Sequence, residues 1–402
     1  MGGRRIRRTW RHEPQSPAPR KYRRACTYEA YVPEALADLD LRLTGELAGV
    51  VSEAEAAVQQ LNALARPALA PLARLLLRTE AIASSKVEGM QVSARQLARA
   101  EAKMETGGKA GSAATEVLAN IDAMQLAIGE AARALRFGRR ELEAIHARLM
   151  ERALNPVNAG RIREEQNWIG GNDYNPCGAD FVPPPPEFVT DLLEDLFKAL
   201  NDDRLPPLVQ AALIHAQFET IHPFHDGNGR TGRALIHVVL HRRGIAPDYV
   251  APISVVLANS RDRYIRKLMG YREDDITGWI EHFATATTTA ADLASRYLEA
   301  VAELTQRWQA ALGALPKPPR SDAAAWAVID VLPAHPILTG PVATAATGRA
   351  KPRVYQAIES LEQAGVLIPL SKKRRNQSWE ASGLLPILER LEAGELPEVQ
   401  LP

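Results

Sequence analysis

The stretch His222-Pro-Phe-His-Asp-Gly-Asn-Gly-Arg-Thr-Gly-Arg233 holds a histidine, an aspartate, a Gly-Asn-Gly turn and two arginines three positions apart. Gly227 and Gly229, on either side of Asn228, can take positive φ and turn successive backbone N–H groups toward one point, which makes an anion nest. A helix starting there would add its unpaired N–H groups and the positive end of its dipole. Arg230 and Arg233 can project from one helical face and grip different phosphates of a chain, so a triphosphate fits better than a monophosphate. Asp226 offers a hard oxygen for Mg²⁺, an ion commonly held by one or two carboxylates together with substrate phosphates. His222 titrates in the neutral range and can take the proton of an attacking hydroxyl while its neighbours stabilise charge on a phosphoryl group. Two blander readings stand beside this one. A Gly-Asn-Gly run is an ordinary turn, and His222 with His225 spells an HxxH metal pair, although no third ligand at zincin spacing is evident.

These residues need two elements to hold them. Val209, Ala212, Leu213 and Ala216 lie at helical spacing just before the segment, and Ala234, Leu235, Val238 and Val239 just after it. The segment therefore reads as a loop between two packed helices. Apolar residues at helical spacing run from about residue 35 to residue 310, and strand-like alternation is scarce, so the fold class is mainly α. Between Ile169 and Glu187 the chain changes to Gly170-Gly171, Asn175-Pro176 and the prolines 183–186, which is turn chemistry and suggests a short hairpin. Leu315-Pro-Lys-Pro-Pro-Arg320 reads as a stiff linker and a domain boundary.

The bulk properties bound the rest. A chain of 402 residues has room for two or three domains. Its net charge of +1 excludes a general polyanion binder, so any nucleic-acid affinity would be local. Cys26 and Cys177 are far apart in sequence and form neither a CxxC pair nor a disulfide framework, which suits a reducing compartment. Nine Lys or Arg between Arg4 and Arg24 precede no apolar stretch of the kind a secretion signal needs. Residues 1–25 read as a basic, flexible arm. With no candidate membrane-spanning run either, a cytoplasmic location is expected.

Taken as a string, His222, Phe224, Asp226, Gly227, Asn228, Gly229, Arg230 and Arg233 occupy every fixed position of HxFx(D/E)GNGRxxR, and the segment resembles the signature of the Fic family. Tyr31-Val-Pro resembles the family's N-terminal segment, and Trp279-Ile-Glu-His-Phe283 a late core helix. Gln166 to Gly171 with Phe181 to Pro185 resembles its flap. The resemblance implies an all-helical core with a small β-hairpin flap that transfers AMP from ATP, with Mg²⁺, to a Ser, Thr or Tyr hydroxyl of a target protein. Residue by residue it implies His222 as base, Asp226 as metal ligand, and Gly227, Asn228 and Gly229 as phosphate cradle. Arg230 and Arg233 would hold the outer phosphates, and Tyr264 would stand near the nucleotide unless it simply packs a helix. Ile169, Gly170, Gly171 and Phe181 would form the flap edge to which an extended target segment adds.

Ser84-Ser-Lys-Val-Glu88-Gly89 resembles the family's inhibitory (S/T)xxxE(G/N) helix. A Glu88 carboxylate on Arg233 would compete with a terminal phosphate for the same donors. In some relatives such a glutamate also serves removal of AMP, so the resemblance leaves the reverse reaction open. Beyond the linker, an apolar helix, a helix-turn-helix over 342–364 and a strand pair around Lys372, Lys373, Arg374 and Arg375 resemble a winged-helix domain. Such a module binds DNA or acts as a dimer or docking element, and DNA-binding regulation is the alternative function. The expected layout is thus the arm, an N-terminal helical region over 26–110, a catalytic core over 111–312, a linker at 313–320 and a winged helix-turn-helix domain over 321–395.

Overall fold

The computed structural model describes residues 3–12, 14–15, 17–64, 70–105, 107–153, 156–370 and 377–396. Two strands come first, β1 (Gly3–Trp10) and β2 (Cys26–Pro33). Helices follow: α1 (Gly45–Ala63), α2 (Ala70–Val87), α3 (Ala94–Glu105), α4 (Ser112–Gly129), α5 (Arg139–Met150) and α6 (Pro186–Leu200). The centre of the molecule is α7 (Pro207–Ile221) and α8 (Asn228–Arg242). Pro206 and Pro207 start α7, where a missing N–H costs nothing. From Leu208 onward every residue of α7 is buried, polar ones included. The expected apolar stripe is therefore a helix enclosed on all sides, and its partner α8 is buried from Arg230 to Leu240.

Short α9 (Ile253–Asn259), α10 (Arg261–Arg272) and the 38-residue α11 (Ile276–Gly313) complete the core. Then come α12 (Ala324–Val331), β3 (Ile337–Thr339), α13 (Gly340–Thr347), α14 (Lys351–Gln363), β4 (Leu367–Pro369), β5 (Ser378–Ala381) and α15 (Leu384–Ala393). The small sheet runs β3-β5-β4, antiparallel throughout. Thr339 caps α13 by accepting from the Val342 N–H, and Gly348 ends it with φ +64°.

Three expectations are corrected. Residues 3–10 are no free arm: β1 pairs antiparallel with β2 along its length, from Gly3 opposite Pro33 to Trp10 opposite Cys26. Long-range contacts fix it, since Trp10 meets Trp168 edge-on at 5.7 Å, Arg8 pairs with Glu187, and Arg4 lies over the Phe188 ring. Cys26 and Cys177 are joined as a disulfide with their Cα atoms 6.2 Å apart, although 151 residues separate them in sequence. That pairing removes the argument for a reducing compartment that their spacing had supplied. Finally, the proline segment after Gly313 does not separate two cores. One apolar cluster runs from Val32 to Leu391, and Trp308 of α11 donates its indole N–H to the Ser382 carbonyl at 3.0 Å. Arg95 of α3 also bridges Glu380 and Glu389 of the C-terminal part, at 2.8 and 2.9 Å. The basic residues Lys372 to Arg375 lie outside the described residues, and no described helix is long and apolar enough to cross a membrane.

Candidate active site

The loop between α7 and α8 is built from its carbonyls. His222 ends α7 in the left-handed region, φ 49° and ψ 60°, a conformation unfavourable for a residue with a Cβ. Its carbonyl is held by Arg163 Nε at 2.9 Å and Asn167 Nδ2 at 3.2 Å. Phe224 is buried next to it, and the Asn228 side chain closes a ring on it, accepting from Phe224 N–H at 2.9 Å and donating to Phe224 O at 2.8 Å. His146 lies flat on the Phe224 ring, with centroids 3.6 Å apart. Its Nδ1 accepts the Gly160 N–H at 2.9 Å, so the ring proton sits on Nε2 and is donated to the Asp226 carbonyl at 2.9 Å. Gly227 follows with φ +75°, and a Cβ there would stand 3.1 Å from both Leu149 Cδ2 and Met150 Sδ. The positive φ favours glycine there, and a Cβ would also press on those two side chains.

The two ends of the loop carry different electrostatics. Burial pulls the His222 imidazole down to about 3, helped by the Arg272 and Arg163 guanidiniums, so the ring is neutral near pH 7. Its Nδ1 is buried. The Asp226 side chain is 74% exposed, accepts the Gly227 N–H on Oδ1 at 2.6 Å, and stands 4.0 Å from Arg230 Nη2. Arg230 is nearly buried and has Glu116 Oε2 at 3.8 Å. Arg233 is wholly buried and already engaged: Nε donates to Ser84 Oγ at 2.9 Å, and Nη2 to Ser84 O at 2.7 Å and Glu88 Oε1 at 2.6 Å. Burial works to raise the Glu88 carboxyl, but the adjacent Arg233 charge outweighs it and holds the group below its ordinary range. Glu88 reaches this place because α2 stops there, with Gly89 at φ +86° and Met90 N–H returning to Ser85 O at 3.1 Å. The carboxylate also sits against the first turn of α8, since a Cβ on Gly229 would lie 2.0 Å from Glu88 Oε1.

His222, Asp226, Gly227, Gly229, Arg230, Arg233, Ser84 and Glu88 thus converge on the start of α8. Asn228 is the first residue of α8, and its side-chain amide is taken up by Phe224, which serves the loop's shape. Tyr264 takes the helix-packing place: it is buried, its hydroxyl 2.9 Å from His215 Nε2, in a cluster of aromatic rings with Trp279. It offers no open surface to a nucleotide base.

The flap is one bridge, Ile169 opposite Phe181, with Gly170 and Gly171 both at positive φ. Val182 O accepts the Tyr31 N–H at 2.9 Å, so β2 extends this ribbon on one side. Ile169 has both its backbone groups committed to residues 180 and 181. Sequence reasoning missed Arg163, Asn167, His146, Arg272 and Glu219. Glu219 is buried, with Oε1 unpartnered and its carboxyl pushed up to about 7 by burial. Isolated residues of common type, they carry no spacing that would mark them.

Residues 136–240 match the model of the Fic/DOC family, and residues 49–129 that of the Fic/DOC family N-terminal region. The chain is distantly similar to protein adenylyltransferase fic-1 of Caenorhabditis elegans, 31% identical over 155 residues that cover 36% of this chain and 28% of that protein. Protein adenylyltransferase Fic of Drosophila erecta is 29% identical over 210 residues, covering 52% of this chain and 39% of that protein. The matched stretch therefore spans less than half the length of these relatives. Among solved structures, a Fic family protein from Desulfovibrio desulfuricans G20 superposes with a TM-score of 0.53 at 22% identity, over 85% of this chain and 98% of the other. C. elegans Fic-1 superposes with a TM-score of 0.51 at 22% identity, over 63% and 73% of the two chains. These likenesses are of fold: the architecture is the mainly helical Fic type.

Proposed function

We propose that this chain transfers AMP from ATP to a Ser, Thr or Tyr hydroxyl of a target protein, and that Glu88 restrains it. The observation that carries the reading is the α7–α8 loop, which sets a neutral His222 and an exposed Asp226 on either side of the α8 N-terminus. In the proposed step the hydroxyl oxygen bonds to the α-phosphorus, the bond to the departing pyrophosphate breaks, and the hydroxyl proton passes to Nε2 of His222. The first turn of α8 supplies N–H donors to the phosphates, and Arg230 and Arg233 supply charge. Asp226 fits a Mg²⁺ ligand, being a hard, exposed carboxylate beside that turn. No cluster of three ligating side chains occurs among the described residues, so phosphate oxygens would have to share the coordination. When bound, the ion would neutralise phosphate charge.

Glu88 restrains the step because Arg233 cannot grip a terminal phosphate while its Nη2 is given to the carboxylate. Auto-modification with ATP labelled on the α-phosphate tests both parts. Label is expected in Glu88→Gly and its loss in Glu88→Gly with His222→Ala; equal label in all variants would sink the assignment. One observation favours an additional role. Arg349, Lys351 and Arg353 are exposed around the start of α14, as a winged helix facing DNA phosphates would need. Replacing all three with Ala should abolish a mobility shift on duplex DNA, and absence of any shift in the intact chain would reject the role.

A further inference from the structure

Arg163 is buried, and its guanidinium is met entirely by carbonyls. Nε donates to His222 O at 2.9 Å, Nη1 to Glu165 O at 3.0 Å, and Nη2 to Pro184 O at 2.6 Å and Ile221 O at 3.3 Å. Its backbone N–H adds a bond to Pro223 O at 2.9 Å. Two of these carbonyls, those of Glu165 and Pro184, belong to the two chain segments that lead into and out of the flap. The others belong to the end of α7 and the left-handed His222. A buried charge with no ion pair among the described residues is an expensive way to fill space, and a rigid five-donor fork is what four divergent carbonyls require.

We propose that Arg163 is a positioning residue that fixes the flap and His222 as one unit, so that the hydroxyl of a bound target is registered on the base. The inference rests on the reading of His222 as that base. Nucleotide contacts lie elsewhere, on residues 227–233, and are not routed through Arg163. The guanidinium also faces His222 as a charge, together with Arg272 from α10, Glu88 just past α2 and the neighbouring Glu219 of α7. Geometry and charge can therefore be separated by two substitutions.

The experiment is the rate of auto-modification at saturating ATP, and the ATP concentration giving half that rate, across pH in the Glu88→Gly background. Arg163→Lys keeps the charge and loses the fork. It is expected to lower the saturated rate about 10- to 100-fold, leave ATP half-saturation within about twofold, and leave the acid limb where it was. Arg163→Gln should lose as much rate and also move the acid limb to higher pH, since a charge opposing imidazolium is gone. Both variants share Glu219, so its titration cancels in the comparison. A rate unchanged in folded variants, or a loss expressed equally in ATP half-saturation, would overturn the proposal, as would an acid limb that Arg163→Gln leaves in place. Should neither variant fold, Asn167→Ala removes the second donor on the His222 carbonyl and must lower the rate about 10-fold at unchanged ATP half-saturation; no loss there overturns it. If Glu88→Gly with Arg163 intact takes no label, the base reading falls and this inference with it, whereas label there with indifferent Arg163 variants refutes this inference alone.

Discussion

The two ends of the α7–α8 loop are held by different kinds of contact. At the His222 end the partners are buried and act on backbone: Arg163 and Asn167 on the His222 carbonyl, the Asn228 amide on Phe224, and His146 on the Asp226 carbonyl. At the Arg233 end the decisive partner is a side chain just past the end of α2, Glu88, 38% exposed and bound to a guanidinium that a phosphate would equally satisfy. One end is built to stay and the other can be exchanged. On the proposed function, the fixed end carries the base, and the Glu88 contact would control access to Arg233.

Experiments can break this contrast. The largest effect is expected from His222→Ala in the Glu88→Gly background, a loss of about 10²- to 10⁴-fold in labelling rate with nucleotide binding kept; activity surviving would move the base elsewhere. Asp226→Ala comes next. It should abolish labelling at a Mg²⁺ concentration that saturates the parent, with partial recovery at much higher Mg²⁺, and undiminished turnover at the original concentration would reject the ligand role. Glu88→Gly alone should raise labelling about tenfold or more, an effect set by how tightly the carboxylate competes for Arg233.

The smallest effect is on stability. Burial pulls His146 to about 4, and His215 and His222 to about 3, from an ordinary 6.5. The folded state then binds fewer protons than the unfolded state between these values and 6.5, so stability is present above 6.5 and drains away as pH falls through that window. His282 and His335, each at about 4, have the same sign. Glu219 and Glu392, raised by burial to about 7, oppose it by stabilising the fold at lower pH. The five histidines outnumber the two glutamates, and melting temperature should fall between pH 7 and pH 5. A melting temperature that is flat or rises on acidification would show that the buried imidazoles are not held neutral.

Much of the α7–α8 loop was legible from sequence because its turn and helix start are local. Two glycines, an Asp, a His and two arginines within twelve residues constrain one another through turn geometry and helix start, whatever surrounds them. Helical spacing likewise exposed α7 and α8, and the short match at Ser84 to Gly89 pointed to Glu88. Spacing did not reveal that α7 is enclosed on every side, since a stripe of four apolar residues looks the same on a surface helix. Nor did it choose between the two places open to Tyr264, which packs against His215 and Trp279.

What the sequence by itself determined is the loop's identity and the mainly helical class, both of which depend on neighbours in the chain. Only the tertiary structure decided three other things: that the basic N-terminus becomes strand β1 against β2, that Cys26 meets Cys177, and that Arg163 spans the flap and His222. Each is a pairing between segments distant in sequence, for which no periodicity exists to be read. Their partners are chosen when the core closes and brings the buried carbonyls, strand edges and side chains of separate segments within bonding reach.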